Sequence, residues 1–204
     1  MRVRSRPAPA VRRLGPLLWG AVLALAACRT LVPVPTNLWP ERRAELQSVD
    51  QFSFTGQLAA ATATEGFSAS LHWQQRGVRS DLLMRAPLGM GGARLSYDGA
   101  QLQVTATDGF QLTGMAAQAE LLRLVGFEPP LASLRYWLLG VPDPQGTAAE
   151  MLDGSQRLAQ LQQSGWVIDY AEYQVSGGRW LPRRVSLHRG ALKLKLRIAQ
   201  WQIP

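Results

Sequence analysis

Side chains suited to covalent chemistry are scarce in this chain of 204 residues. His72 and His188 each sit in an alternating run, opposite Leu71 and Leu187, where exposed or hydrogen-bonded strand histidines are expected. Two histidines and a single cysteine do not make a zinc cluster. The carboxylates are scattered, with no pair spaced for general acid and base roles. Gly89-Met90-Gly91-Gly92 is glycine-rich, but no phosphate-binding lysine follows, so it reads as a mobile loop. Tryptophans with arginine neighbours could stack on bases, but the export signal described next leaves little occasion for nucleic acid. No enzyme activity, no metal site and no nucleic-acid partner are expected.

Cys28 is the exception. Arg2, Arg4, Arg6, Arg12 and Arg13 precede an apolar run from Leu14 to Ala27. A basic start, a short apolar stretch and small residues at a cut site make a secretory signal. The alternative is an anchor helix that stays attached. The run is 14 residues long, against the roughly 20 that span a bilayer. Leu25-Ala26-Ala27-Cys28 resembles the lipobox of bacterial lipoproteins, an aliphatic residue and two small ones before the cysteine that is lipidated. The resemblance implies cleavage before Cys28, a diacylglyceryl group on its thiol and an N-acyl chain. Those lipids are the only non-protein groups expected. No second cysteine exists to form a disulfide, and acylation removes a lone thiol from an oxidising compartment. Arg29 follows, not the Asp typical of inner-membrane retention, so the same resemblance implies sorting to the outer membrane.

Cleavage changes the charge. Five of the 22 basic residues precede Cys28, leaving 17 against 14 acids, a net +3. That excess is modest and gives no strong field for a polyanion. Three segments are expected: a signal peptide over 1–27, a lipidated tether over 28–36 containing Pro33 and Pro35, and one domain over 37–204.

The elements of that domain follow from periodicity. A helix is predicted from near Asn37, with Pro40 tolerated in its first turn and Trp39, Arg43 and Leu46 on one face. From Gln51 the period becomes two. Phe52, Phe54, Gly56 and Leu58 alternate with polar residues, as do Phe67, Ala69, Leu71 and Trp73. Leu95 and Tyr97, then Leu102, Val104 and Ala106, then Phe110 and Leu112 continue the pattern. Trp166 to Val175, Val185 with Leu187, and Leu192 to Ile198 complete it. Such alternation predicts antiparallel strands with one apolar face. Asp98-Gly99, Asp108-Gly109 and Gly177-Gly178 stand where hairpins turn. Between the two halves, Met115–Val125 and Leu131–Leu139 read as helices, stopped by Gly126 and Gly140. The class is mainly β (α+β): a curved antiparallel sheet with two or three helices on its concave side. Its apolar face has two uses, an ordinary packed core or a cavity for an apolar ligand.

The segment Arg85-Ala86-Pro87-Leu88-Gly89-Met90-Gly91-Gly92 joins a strand containing Leu82 and Leu83 to one containing Leu95 and Tyr97. Leu88 has a proline on one side and glycines on the other. It is either tucked under the sheet edge or an exposed apolar tip that touches lipid. A buried leucine contributes roughly 1.5–3 kcal/mol, enough to bias a transient membrane contact.

The lipobox, the Trp-led helix, "FSFTGQLA", "LHWQQ", "LLMRAPLG", "PLASLRYWLLGVP" and the closing "LKLKLRIAQW" together resemble the LolB family from Cys28 to about Ile203. The order and spacing of these motifs carry the resemblance, most of all Pro130 to Pro142 and the "APLG" loop. It implies an incomplete antiparallel β-barrel (a half-barrel) closed by about three helices around an apolar cavity. It further implies a monomeric outer-membrane lipoprotein facing the periplasm. Such a protein accepts lipoproteins from the LolA–lipoprotein complex, shields their acyl chains and passes them to outer-membrane lipid. In the family a hydrophobic residue on a protruding loop promotes delivery, and the match here is Leu88, between Pro87 and Gly89. Alternation and helical spacing supply the candidates for the acyl-chain cavity: Phe52, Phe54, Phe67, Leu71, Trp73, Leu95, Tyr97, Leu102, Val104, Leu134, Trp137 and Leu138. Two other readings remain: a lipid-sensing module on the same half-barrel, and a structural lipoprotein with a filled core.

Overall fold

The structure, a computed structural model, describes residues 38–62, 66–89, 91–106 and 109–204. The signal segment, Cys28, the tether and Asn37, near which the first helix is predicted to start, lie outside these residues, as does Asp108 of one expected hairpin.

The first helix, α1 (Trp39–Ser48), carries Pro40 in its first turn and buries Trp39, Arg42 and Leu46. Spacing alone placed Arg43 on the packed face, whereas Arg42 turns inward. The two flank the line from Trp39 to Leu46 on opposite sides. The deciding contact is tertiary: Arg42 Nη1 donates to the Gln156 carbonyl at 2.6 Å, while Arg43 stays at the rim on Glu150 (2.7 Å).

Six strands then run as a meander: β1 (Gln51–Ala61), β2 (Gly66–Arg76), β3 (Arg79–Arg85), β4 (Gly92–Tyr97), β5 (Leu102–Ala106) and β6 (Gln111–Thr113). Two helices follow, α2 (Gly114–Val125) and α3 (Leu131–Leu139). A second meander closes the chain: β7 (Ala148–Leu152), β8 (Leu158–Gln163), β9 (Trp166–Ser176), β10 (Arg179–Arg189) and β11 (Leu192–Gln202). The strands form one 11-stranded sheet in the order β6-β5-β4-β3-β2-β1-β11-β10-β9-β8-β7. Each neighbouring pair is antiparallel. The sheet does not close, because β6 and β7 stand at opposite edges. The architecture is the expected incomplete barrel with three helices.

Strands β7 and β8 were not anticipated. Their segments AAEML and LAQLQQ lack a clean apolar alternation. Tertiary contacts hold β7: Trp39 Nε1 donates to Glu150 Oε2 at 2.7 Å. Phe110 differs in the other direction, lying outside β6 and 62% exposed.

The two meanders join where β1 pairs with β11. A register shift falls there at Thr55/Gly56. A Cβ on Gly56 would lie 2.5 Å from the Arg197 carbonyl oxygen, so only glycine permits this approach. The path from β6 to β7 must cross from one edge of the sheet to the other. It does so through α2, which packs on β5 and β6, and α3, which packs on β10 and α1. Topology thus lays both helices over the apolar face.

Strand alternation also sorts the turns into two ends. The β1–β2, β3–β4, β5–β6, β8–β9 and β10–β11 connections share one end of the sheet, and the others share the opposite end. Helix α1 sits toward the second end, with Arg42 on the β7–β8 turn and Glu45 on Arg179 at 2.7 Å.

Candidate functional site

The turn between β3 and β4 is tight. The Ala86 N–H donates to the Gly91 carbonyl at 2.9 Å, and Pro87–Gly89 form a single 3₁₀ turn where the sequence suggested a loose loop. Leu88 adopts φ 57°, ψ 20°, the left-handed region. For a residue with a Cβ this costs roughly 1–2 kcal/mol. The conformation directs the side chain to solvent, and Leu88 is 96% exposed. Of the two sequence readings, the exposed tip is the one the fold adopts. The neighbouring strands are drawn close at the base of the turn, where a Cβ on Gly92 would meet the Met84 carbonyl oxygen at 2.4 Å.

Other large apolar residues are exposed around β6 and α2. Phe110 precedes β6, Met115 lies in the first turn of α2 and is 85% exposed, and Leu122 follows two turns later. Helix α2 is bracketed by Gly114 (φ 58°) and Gly126 (φ 80°). Gly126 is the left-handed cap, with its N–H on the Leu122 carbonyl at 2.8 Å.

Between sheet and helices lies a cavity lined only by apolar side chains. The sheet contributes Leu58, Phe67, Leu71, Trp73, Leu82, Met84, Leu95, Leu187, Leu194 and Leu196. Facing them are Leu121 of α2, Phe127 and Pro129 of the connector, and Leu131, Leu134 and Leu138 of α3. Its volume is about 70 Å³. A cavity of about 150 Å³ holds a benzene, and ligand pockets commonly run to about 300–1,000 Å³. As it stands the space admits no acyl chain, so any such ligand must part the helices from the sheet.

Six of the twelve sequence candidates line this cavity: Phe67, Leu71, Trp73, Leu95, Leu134 and Leu138. The other six lie elsewhere. Phe52 and Phe54 pack on Trp201 with ring centroids 5.6 and 5.0 Å apart, and Trp201 Nε1 donates to the Pro182 carbonyl at 2.8 Å. They form an aromatic plug beyond the cavity. Trp137 stands 6.2 Å from the Trp166 ring and donates from Nε1 to Gln163 Oε1 at 2.8 Å. Tyr97 turns its hydroxyl to the Gly99 carbonyl (2.8 Å), and Leu102 and Val104 are packed core on β5. Alternation found the correct face in each case but could not say which stretch of that face meets the helices. Leu58, Leu187, Leu194 and Leu196 belong to runs that alternation identified, and Leu82, Leu121 and Leu131 were legible as apolar. Phe127, in the irregular connector, carried no periodic signal.

Polar groups do not line the cavity. The buried phenol of Tyr170 donates to the Trp137 carbonyl at 2.9 Å, and burial pushes its pKa well up. His72 and His188 face outward on β2 and β10, with His188 3.7 Å from Asp169. Arg179 pairs with Glu45 and Arg184 with Glu172.

Residues 50–201 match a family model described as "Outer membrane lipoprotein LolB". Relatives carrying the name outer-membrane lipoprotein LolB include one from Pseudomonas syringae pv. syringae, 34% identical over 165 residues that cover 80% of each chain. One from Pseudomonas savastanoi pv. phaseolicola is 32% identical over 164 residues, again 80% of each. Among solved structures, the chain is similar to a LolA superfamily protein from Nitrosomonas europaea, with TM-score 0.52 and 9% identity over 82% of this chain and 94% of that one. It is likewise similar to a DUF1329 family protein from Desulfovibrio piger, with TM-score 0.53 and 9% identity over 80% and 89% of the two chains. At those identities the likeness is one of fold.

Proposed function

Because the chain belongs to the LolB family, we propose that it is an outer-membrane lipoprotein that receives other lipoproteins from the carrier LolA and inserts them into the membrane. In this reading Cys28 carries the acyl anchor, and the domain faces the periplasm. The observation that carries the reading is Leu88, a leucine held 96% exposed in a left-handed turn. Neither packing nor backbone preference explains a leucine there, and contact with an apolar phase would. The apolar cavity is consistent with acyl-chain binding once the helices move. Each methylene taken from water contributes about 0.8 kcal/mol, so acyl chains need continuous cover between carrier and bilayer. A cavity without polar groups binds chains of any length without a fixed orientation, which suits a transient host.

The test is reconstituted transfer from a LolA–lipoprotein complex to vesicles bearing the protein. Leu88→Glu is expected to fold and accept cargo normally but to deliver it poorly. Normal delivery by this variant would remove Leu88 from the mechanism. Cys28→Ala is expected to lose incorporation of labelled palmitate, and palmitate retained in that variant would overturn the anchor assignment. One observation favours a second reading: a cavity of about 70 Å³ also suits a structural lipoprotein whose filled core never opens. Absence of any cargo acceptance in the transfer assay would select it.

A further inference from the structure

On the outer face of the sheet, just below the Leu88 turn, lies a groove of about 540 Å³. Arg85, Arg94, Ser70 and Thr105 are the polar side chains in a lining that is otherwise apolar residues and glycine, Leu83 and Met84 among them. The register fixes the arrangement. Arg85 pairs with Ser70 on one side and Gly92 on the other, and Arg94 pairs with Leu83 and Thr105. The two arginines are therefore diagonal neighbours on one face, about 7–8 Å apart at the backbone and within reach of each other's long side chains. Both arginines are exposed, and among the described residues neither makes an ion pair. Farther down the same strands the one acid is neutralised, with Asp81 held by Arg79 and Ser96. The row across the sheet at the level of Arg85, running Arg197–Gln57–Ser70–Arg85, contains no acid.

Two exposed arginines at diagonal positions on one face fit a phosphate, which arginine binds through paired N–H donors. The height of the groove selects the source. Leu88 stands at the tip of the turn, three residues beyond Arg85 and in the left-handed conformation. The headgroup layer of one leaflet is about 5–7 Å thick, half the difference between a bilayer of about 40–45 Å and its 30 Å hydrocarbon core. With Leu88 at the edge of the hydrocarbon, Arg85 at the base of the turn falls in the headgroup layer, and Arg94, two residues farther along the strand, reaches toward it through its long side chain.

We propose that the Arg85–Arg94 groove binds the phosphate of a bilayer phospholipid when the Leu88 turn enters the membrane. The proposal rests on the reading that Leu88 contacts lipid. It adds a headgroup site that orients the domain and makes docking dependent on charge.

The experiment uses the lipidated full-length protein in vesicles of phosphatidylethanolamine and phosphatidylglycerol. A fluorophore on Ser68→Cys, an exposed outer-face position of β2 beside the groove, is quenched by lipids spin-labelled in the headgroup. Arg85→Gln and Arg94→Gln are each expected to lower the ratio of docked to undocked protein about five-fold, and the pair roughly 25-fold. Arg→Lys at both positions keeps most of the quenching, and high salt weakens it. Quenching unchanged in the double Gln variant overturns the proposal. So does quenching absent from all vesicles while inorganic phosphate alone shifts the fluorescence in an arginine-dependent way, which would mark a free-phosphate site. Leu88→Glu separates the two claims. Loss of quenching in Leu88→Glu but not in the arginine variants leaves the Leu88 reading standing and removes the groove. Arginine-dependent quenching that persists in Leu88→Glu keeps the groove and removes the Leu88 reading.

Discussion

Leu88 combines two costs that a folded chain ordinarily avoids, an exposed apolar side chain and a left-handed backbone on a residue with a Cβ. They can be separated by substitution. Glycine at position 88 relieves the backbone and deletes the side chain. Leu88→Gly is therefore expected to raise stability by about 1 kcal/mol, read as a higher denaturation midpoint, while delivery of lipoproteins to vesicles falls. A variant that is both more stable and fully active would mean that the turn serves folding alone. Gly56 shows the opposite economy: its missing side chain permits the close seam between the first and last strands, and nothing about it points to function.

Single elements differ in how firmly they are held. Helix α3 buries Leu131, Trp137, Leu138 and Leu139, whereas the described side chains of α2 bury Ala117 and Leu121 and leave Met115 and Leu122 exposed. With glycines in left-handed conformation at both ends, α2 is the element whose displacement would enlarge the cavity at least cost. The β7–β8 turn, which anchors α1 at the far end, is held by charge. Desolvation raises the Asp153 pKa, but the Ser155 and Arg157 N–H groups and the Arg157 side chain outweigh it and hold it below its ordinary 3.8. A depressed folded pKa means stability that is present above 3.8 and lost as pH falls through the folded value. Asp153→Asn is expected to cost about 1 kcal/mol at neutral pH. Its deficit should shrink as unfolding is followed into acid below the unfolded value. A deficit independent of pH would show that the carboxylate charge is not what holds the turn.

At the scale of the molecule, the fold sets a hydrophobic sheet face against helices that arrive by crossing it, and leaves about 70 Å³ between them. Acyl-chain binding requires that space to grow. Filling it should separate stability from function. Leu134 lies half-buried on α3 against the cavity, so Leu134→Phe is expected to keep stability within about 1 kcal/mol and to lower acceptance of lipoprotein from LolA. Unimpaired acceptance would place the chains elsewhere. The outer face has a separate role under the proposal above, with Arg85 and Arg94 meeting headgroup phosphate and Leu88 the apolar layer beyond it.

The sequence by itself determined the class of fold and the face of nearly every strand. Strict alternation, as in Leu192 to Ile198, admits only one side for the core. It also determined the helix stops at Gly126 and Gly140, where only a left-handed residue ends the turn cleanly, and it singled out Leu88 through the proline and glycines around it. It did not reveal β7 and β8, whose weak alternation is stabilised by neighbours rather than by their own pattern. Nor could it divide the apolar face. Phe52, Phe54 and Trp137 alternate or space as well as Phe67 and Leu71 do, yet the first three fill packed core and the last two face the cavity. That division depends on where two helices cross an 11-stranded sheet, a long-range matter that local periodicity does not encode. The Arg85–Arg94 groove is of the same kind, since it exists only through the register of β3 on β4. For Leu88, sequence supplied the candidate, and the tertiary structure decided that its side chain points into solvent.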